Sequence, residues 1–317
     1  MRLLLVSDLH GSDVVFRKLS NALKVYKVDA VVLAGDLSGK ALAPVVRLRN
    51  GKFKIPYLDG KREFTEDEAR AKVKELRDMG IHVAYVDEDE YGRMISDKAY
   101  TEGVFLKVLQ EDVGRMLNMI DERYRQYGVK LYVIPGNDDP QPIADLINKG
   151  GWSNIVPSDE KAVDIGGYQL VGFGYSNPTP WNTPRELSED EIYRRVSRIL
   201  NGLNPAKTIL MIHAPPFNTL IDQAPQLTKD LKPIVRGGEV LMTHVGSSAV
   251  RRIIEEFRPI MGLHGHIHES GGVDYIKADG KVKIPVFNAG SEYQYGILRG
   301  ILISVDEGKV TYLPVRG

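Results

Sequence analysis

The chain has 317 residues, with 42 Lys and Arg against 42 Asp and Glu, 43% hydrophobic residues and no cysteine. Zero net charge advertises neither the polybasic footprint of a nucleic-acid binder nor an acidic tail, and the lack of cysteine excludes a disulfide framework and thiolate metal ligands. The N-terminal apolar run is too short and too soon charged for a signal peptide, and nothing approaches a membrane span, so a cytoplasmic protein is expected.

Met1 to Val6 is predicted to be a strand running into Ser7-Asp8-Leu9-His10-Gly11, with Ser12-Asp13 capping a helix to about Leu23. A second strand, Asp29 to Ala34, ends in Gly35-Asp36. A third, Val129 to Ile134, runs into Pro135-Gly136-Asn137-Asp138-Asp139-Pro140, and a fourth, Thr208 to Ile212, ends on His213. Alone, Asp8 and His10 could be a helix cap and a surface imidazole. Four strands that each deliver an Asp, Asn or His just past their last apolar residue point to a site, because ligands collect at the carboxyl ends of strands in open α/β sheets.

The connection from Ser38 to Gly128 is too long for a simple crossover and must hold structure of its own. Residues 45–49 and 52–57 flank Asn50-Gly51, which favours a type I′ hairpin, and Asp59-Gly60 marks a turn before residues 61–64, so a small antiparallel meander is expected. Thr65 and Glu68 make a capping box for a helix closed by Gly80. His82 falls outside every motif and reads as a surface residue. A second helix is predicted from about Thr101 to Tyr127 as the crossover. The insertion, approximately residues 41–100 of a single 1–317 domain, could be a cap over a site or a homodimer contact. Its Lys52, Lys54, Lys61 and Arg62 read as a solvated face, with contact to an anionic substrate as the alternative.

A strand from Tyr168 to Gly174 leads into a loop stiffened by Pro178, Pro180 and Pro184, which can present Trp181 for stacking on a base and Arg185 for holding a phosphate. The simpler role for Trp181 is packing beneath its own loop. Ser188 caps the next helix, to about Leu200. Thr243 to Ser248 opens another helix, whose start could bind an anion through Ser247 with His244 beside it; Ser247 as a plain N-cap is the alternative. The tail from Val273 carries short strands, with turn signals at Asp279-Gly280 and Asp306-Glu307-Gly308, and is expected to form a second sheet.

Three of the seven histidines fall in Gly262-Leu263-His264-Gly265-His266-Ile267-His268. Imidazoles cluster this way to bind a transition metal or to fill a polar pocket, and His266 and His268 beside Gly265 favour the metal. His264 would then orient the ligands from behind, or stand as a buried strand end.

Taken together, Asp8-Leu9-His10, Gly35-Asp36, Gly136-Asn137-Asp138-Asp139, His213 and Gly265-His266-Ile267-His268 resemble, in order, the signature of the calcineurin-like metallophosphoesterases. The resemblance spans residues 8 to 268 and implies a four-layer αββα sandwich of two mixed β-sheets. It implies one metal held by Asp8, His10, Asp36 and His268, a second held by Asp36, Asn137, His213 and His266, and Asp36 as the bridge. A hydroxide bridging two ions about 3.5–4 Å apart would attack phosphorus in line. Mixed oxygen and imidazole donors suit Mn²⁺, the first choice, with Fe or Zn²⁺ as alternatives.

One position departs from the pattern. Asp138 stands where the family usually has the histidine credited with assisting the leaving group. An Asp between two dications would stay ionised, donate protons poorly and repel an anion, unless it turns away to cap the next helix beside Asp139. His244 could take over part of the missing role. The expected substrate is therefore a small phosphorylated molecule, a nucleotide among the options, with phosphodiesters or phosphoanhydrides preferred over alkyl monoesters. A nuclease acting on DNA or RNA and a non-catalytic protein-binding module are the alternative functions.

Overall fold

The structure is a computed structural model, described over residues 1–280, 282–306 and 308–317. The first half of the chain forms β1 (Arg2–Val6), α1 (Asp13–Asn21), β2 (Ala30–Ala34), β3 (Ala41–Arg47), β4 (Phe53–Ile55), β5 (Asp59–Phe64), α2 (Glu66–Asp78), β6 (Ile81–Asp87), α3 (Glu88–Ser96), α4 (Lys98–Arg125), β7 (Lys130–Ile134), α5 (Gln141–Lys149) and β8 (Ile155–Pro157). The second half adds β9 (Lys161–Ile165), β10 (Tyr168–Phe173), α6 (Glu189–Leu200), β11 (Thr208–Ile212), β12 (Gln223–Pro225), β13 (Val235–Arg236), β14 (Glu239–Val240), β15 (Met242–His244), α7 (Ser248–Phe257) and β16 (Met261–His264). It closes with β17 (Gly272–Ala278), β18 (Val282–Asn288), β19 (Arg299–Asp306) and β20 (Lys309–Arg316). Among the described residues no helix is long and apolar enough to cross a membrane.

Two six-stranded sheets, ordered β20-β19-β1-β2-β7-β8 and β17-β18-β16-β11-β10-β9, pack face to face. Their central strands are apolar throughout because both faces are covered, and the two-residue period of a strand sends alternate side chains to different layers. Leu3, Leu5, Val32, Tyr132, Ile209, Met211 and Leu263 fill the space between the sheets. Leu4, Val6, Val31, Leu33, Leu131 and Val133 face outward onto α1, α4 and α5, while Leu210 and Ile212 face α6 and α7. This is the αββα arrangement. Each of these leucines is fully buried, so truncation to Ala costs about 2–5 kcal/mol.

Strands β1, β2 and β7 are mutually parallel, and so are β10, β11, β16 and β18. Their carboxyl ends carry all the motif residues. The tail does not form a sheet of its own: β17 and β18 complete one edge of the second sheet, and β19 and β20 complete an edge of the first. Asp279 and Gly280, both at positive φ, make the predicted turn there, while Glu307 in the other turn signal lies outside the described residues.

The insertion is a four-stranded sheet ordered β5-β4-β3-β6, and it differs from the expected meander in three ways. At Asn50-Gly51 only Gly51 has positive φ (+82°), so the connection is a longer loop closed by Leu48 N to Lys52 O, not a type I′ turn. Asp59 and Gly60 lie within β5. The fourth strand, β6, pairs in parallel with β3 through the α2 crossover, and its alternation is masked by His82 and Tyr85. The crossover helix α4 starts at Lys98, and α3, capped by Asp87 with Glu90, precedes it. Lys52 pairs with Glu63 and Arg62 with Glu68, consistent with a solvated face. A cavity of about 610 Å³ opens in the insertion, lined by residues including Arg47, Phe53, Arg70 and Tyr85; none of its lining residues is a motif residue.

Candidate metal centre

The loops that leave β1 and β2 keep pairing after the strands end: Asp8 N donates to Gly35 O (3.0 Å), His10 N to Asp36 O (3.0 Å) and Gly11 N to Leu37 O (2.7 Å). This pairing holds the chain in an uncommon conformation. Asp8, His10, Asp36 and His266 all have positive φ, at 57°, 42°, 53° and 70°. Each such residue costs roughly 1–2 kcal/mol, and strain concentrated on the side chains of one cleft marks a functional site.

These side chains converge. Asp8, His10 and His268 bring ligand atoms within 4.8 Å of one another, and so do Asp36, His213 and His266. Between the clusters, Asp36 Oδ2 lies 3.6 Å from His10 Nε2 and 3.5 Å from His213 Nε2, a position from which one carboxylate serves both. Asn137 Oδ1 meets His213 Nε2 at 2.9 Å. All seven predicted donors are thus present, and they suit divalent cations. The Nε2 atoms of His10 and His268 face each other at 3.0 Å, with His268 3.4 Å from Asp8 Oδ1, so lone pairs and carboxylate oxygens point at one another. His10 Nδ1 is buried without a partner among the described residues. An imidazole and carboxylate set of this kind fits Mn²⁺, Fe or Zn²⁺.

The protonation states follow from burial and neighbours. Burial opposes ionisation of Asp8, but His268 prevails and draws it to about 2. Asp36 is held well below the usual carboxylate range, His213 outweighing burial. Burial pushes His10 down to about 3 and His266 to about 4, so both are neutral. Burial would lower His213 and His268 too; instead Asp36 lifts His213 to about 9, and hydrogen bonding to Asp8 raises His268. His10 falls while His268 rises because burial dominates at His10, whereas the Asp8 carboxylate holds the proton on His268.

A second ring of contacts aims the donors. His213 Nδ1 donates to Ala34 O (2.6 Å), which leaves Nε2 for a metal. The Asn137 amide donates to Thr183 Oγ1 (2.9 Å), turning its oxygen inward. Asp8 accepts from His266 N, and Ser291 Oγ donates to Asp8 O. His264, buried at the end of β16, donates Nδ1 to Ile212 O (2.7 Å), tying that strand end to the residue before His213. Burial lowers His264 to about 4. Gly136 and Gly265 are glycines for lack of space: a Cβ would meet Asp36 Oδ1 at 2.0 Å or Ser7 Oγ at 1.8 Å.

Four predicted site residues are tied up in other contacts. Arg185 is buried, its guanidinium on Asp159 (2.5 Å) and over the Tyr175 ring (3.9 Å), so a phosphate-binding role is not supported. Its backbone does serve the site, donating to Asn137 O. Ser247 caps α7, and the anion at that helix start is the chain's own Glu189, which accepts from Ser247 Oγ, Ser248 N and Ala249 N. His244 belongs to neither metal cluster, and its Nδ1 bonds the buried Asp222 at 2.7 Å. Asp138 does not cap α5; its Oδ2 meets Lys40 Nζ at 2.5 Å. Burial, with Asp36, pushes Asp138 up to about 7 even though Lys40 pulls it down, while Asp138 and Asp36 raise Lys40 against burial. Bound dications would draw Asp138 back down. Trp181 is exposed and does not pack beneath its loop.

Five contributors are not found from the sequence. Lys40 stands on the loop after Asp36. Tyr293 stacks 4.7 Å from the His10 ring. Thr183 orients Asn137. Asp139, expected to cap a helix, is buried and accepts from Leu37 N, Ser38 N and Gly136 N, locking two metal loops together. His82, expected at the surface, is 1% exposed and accepts from Gly39 N (3.0 Å) while donating to Asp112 (2.8 Å). The spacing Asp36-x-x-Gly39-Lys40 gives no warning, because loop residues carry no period.

No family model matches the sequence. An uncharacterized protein of Methanocaldococcus jannaschii is 36% identical over 150 residues, 47% of this chain; the match covers 60% of that relative's length. One solved structure aligns over 98% of both chains with a TM-score of 0.59 at 16% identity. TT1561 of Thermus thermophilus aligns over 98% of this chain and 97% of its own, with a TM-score of 0.52 at 12% identity. At such identities the likeness speaks to fold, and the ordered motifs meeting in one cleft say which fold it is. The chain has the calcineurin-like metallophosphoesterase fold. The cleft at the strand ends brings the candidate metal donors together, with Asp138 and Lys40 beside them.

Proposed function

We propose that the chain is a dinuclear metal-dependent phosphoesterase acting on small phosphodiesters or phosphoanhydrides. The observation that carries this is the position of Asp36 Oδ2, 3.6 Å from His10 and 3.5 Å from His213, between two clusters of buried donors. Asp8, His10, Asp36 and His268 would hold one cation, and Asp36, Asn137, His213 and His266 the other. When bound, such a pair supplies charge neutralisation at phosphoryl oxygens and a water acidic enough to ionise near neutral pH.

The chain's own residues set the rest. The strained loops fix the donors before substrate arrives, which limits reorganisation during the reaction. No imidazole occupies position 138 to protonate a departing alkoxide, so leaving groups that depart as stable anions are favoured. Mn²⁺ is the proposed metal, which the mixed imidazole and carboxylate donors suit, and the proposed location is cytoplasmic.

The test is metal analysis of the purified protein together with hydrolysis of an aryl phosphodiester, an aryl monoester and a nucleoside triphosphate. Two metals per chain with diester or anhydride turnover support the proposal. Metal-free protein inert with every added divalent ion would sink it in favour of a binding module. Turnover confined to DNA or RNA and falling steeply with salt would make it a nuclease.

A further inference from the structure

Asp138 poses an electrostatic problem, because a carboxylate in the position of a substrate-assisting imidazole repels the anion it should help. The structure places Lys40 against it, Nζ to Oδ2 at 2.5 Å. The Lys40 side chain is 53% exposed and that of Asp138 11%, so the ammonium lies on the solvent side of the pair. Asp36 and Tyr293 also lie close enough to perturb the ammonium, and Tyr293 stacks on His10. Lys40 therefore stands at the mouth of the metal cluster.

Stability does not account for it. With the Lys40 side chain half exposed, the pair is screened on its solvent side and contributes little against the cost of burying Asp138, and an ammonium beside two cation sites is repelled once they fill. A lysine is tolerated there when an anion is brought to it. Its base is also held unusually well for a surface side chain. Gly39 N is fixed by buried His82, Ser38 and Leu37 are fixed by buried Asp139, and a Cβ at Gly39 would meet Gly80 O at 1.9 Å, so the backbone has one path. A rigid base and a four-carbon stem allow a short swing from Asp138 to a ligand.

We propose that Lys40 binds a non-bridging phosphoryl oxygen of the substrate, with Asp138 as its positioning residue. The pair then takes the place of the imidazole, and its net charge of zero removes the repulsion that Asp138 alone would impose. This rests on the phosphoesterase reading for the ligand's class, though the binding step is separable from turnover. Asp138 could instead be a metal ligand, since its carboxylate lies within 4.8 Å of donor atoms of His10 and Asp36.

The experiment uses Mn²⁺-loaded protein, wild type, Lys40→Gln, Lys40→Arg and Asp138→Asn. Inorganic phosphate binding is measured by calorimetry, and KM and kcat with a bis-aryl phosphodiester. Lys40→Gln is expected to weaken phosphate by about 10- to 100-fold, the loss of one charge-assisted hydrogen bond. KM should rise in proportion, kcat should change less, and Lys40→Arg should recover most of the affinity. Asp138→Asn should keep the wild-type metal content. Phosphate binding equal in wild type and Lys40→Gln, or absent in loaded wild type, overturns the assignment, as does loss of metal in Asp138→Asn. A wild type that binds phosphate but turns over no ester defeats the hydrolase reading alone, and the calorimetry still decides Lys40.

Discussion

His213, at the end of β11 in one sheet, donates its Nδ1 proton to the carbonyl of Ala34, at the end of β2 in the other, at 2.6 Å. The bond stitches the sheets together at the cleft and turns Nε2 toward Asp36. Without metal, Asp36 overcomes the effect of burial and keeps that imidazole protonated up to about pH 9. A metal must displace the proton, so binding at pH 7.5 is expected to release at least one proton per chain, and apparent affinity should climb with pH until about 9. Stability of the apoprotein runs the other way. A pKa raised from 6.5 to about 9 contributes stability fully below 6.5 and loses it as pH rises through 9. Calorimetry in buffers of different ionisation enthalpy counts the protons; a pH-independent metal affinity between 6.5 and 9 would contradict the assignment of His213 as a ligand.

Gly265→Ala tests the crowding at the metal loops. Gly265 has no positive φ, so alanine brings no backbone strain, only a Cβ driven against Ser7 Oγ at 1.8 Å and Asp8 Oδ2 at 2.6 Å. Overpacking of this kind costs about 1–3 kcal/mol. Because Asp8 must move, metal content should fall together with the melting temperature. A variant with unchanged metal content would show that the loop relaxes without disturbing Asp8.

Arg185→Ala separates a structural guanidinium from a substrate-binding one. Asp159 would be left buried with its charge partner gone, and such a loss costs about 3–5 kcal/mol. The expected result is a large drop in denaturant midpoint, with phosphate affinity of the folded, loaded protein kept. Weaker phosphate binding without loss of stability would restore the role first suggested by its proline-rich loop.

The layers and the metal donors are legible in the sequence because each rests on a repeated signal. Apolar strands such as Ala30 to Ala34 announce themselves by composition, and the donors sit at one offset past their ends. What escapes depends on contacts between distant segments. His82 looks superficial because β6 follows a helix and its partner β3 lies 40 residues earlier, so its burial arises only when the inserted sheet forms. Asp139 reads as a local cap because the sequence shows its neighbour Pro140 but not Leu37 and Ser38. Ser247 at a helix start reads as open to anions, yet Glu189, 58 residues away, fills that place. Lys40 has no partner within the local sequence; Asp138 is 98 positions on.

The insertion braces the metal loops through His82, and this can be tested by substitution. Its α2–β6 corner is pressed against the β1 loop: Ser12 Oγ donates to Asp78 O at 2.6 Å, and a Cβ at Gly80 would meet His10 O at 2.1 Å. His82 continues the contact, and because Gly39 N is a donor, Nε2 must accept and Nδ1 must carry the proton given to Asp112. His82→Ala would leave the buried Gly39 N–H unpaired, at a cost of about 1–3 kcal/mol before the cavity is counted. Since Gly39 lies between Asp36 and Lys40, metal affinity should also fall by about tenfold, as when a ligand loses its outer support. His82→Gln, whose amide oxygen reaches about as far as Nε2, should recover part of both. Chemical denaturation of the apoprotein and metal titration of the folded protein read the two effects separately. Reduced stability with unchanged metal affinity would leave His82 as a core residue of the insertion with no hold on the site.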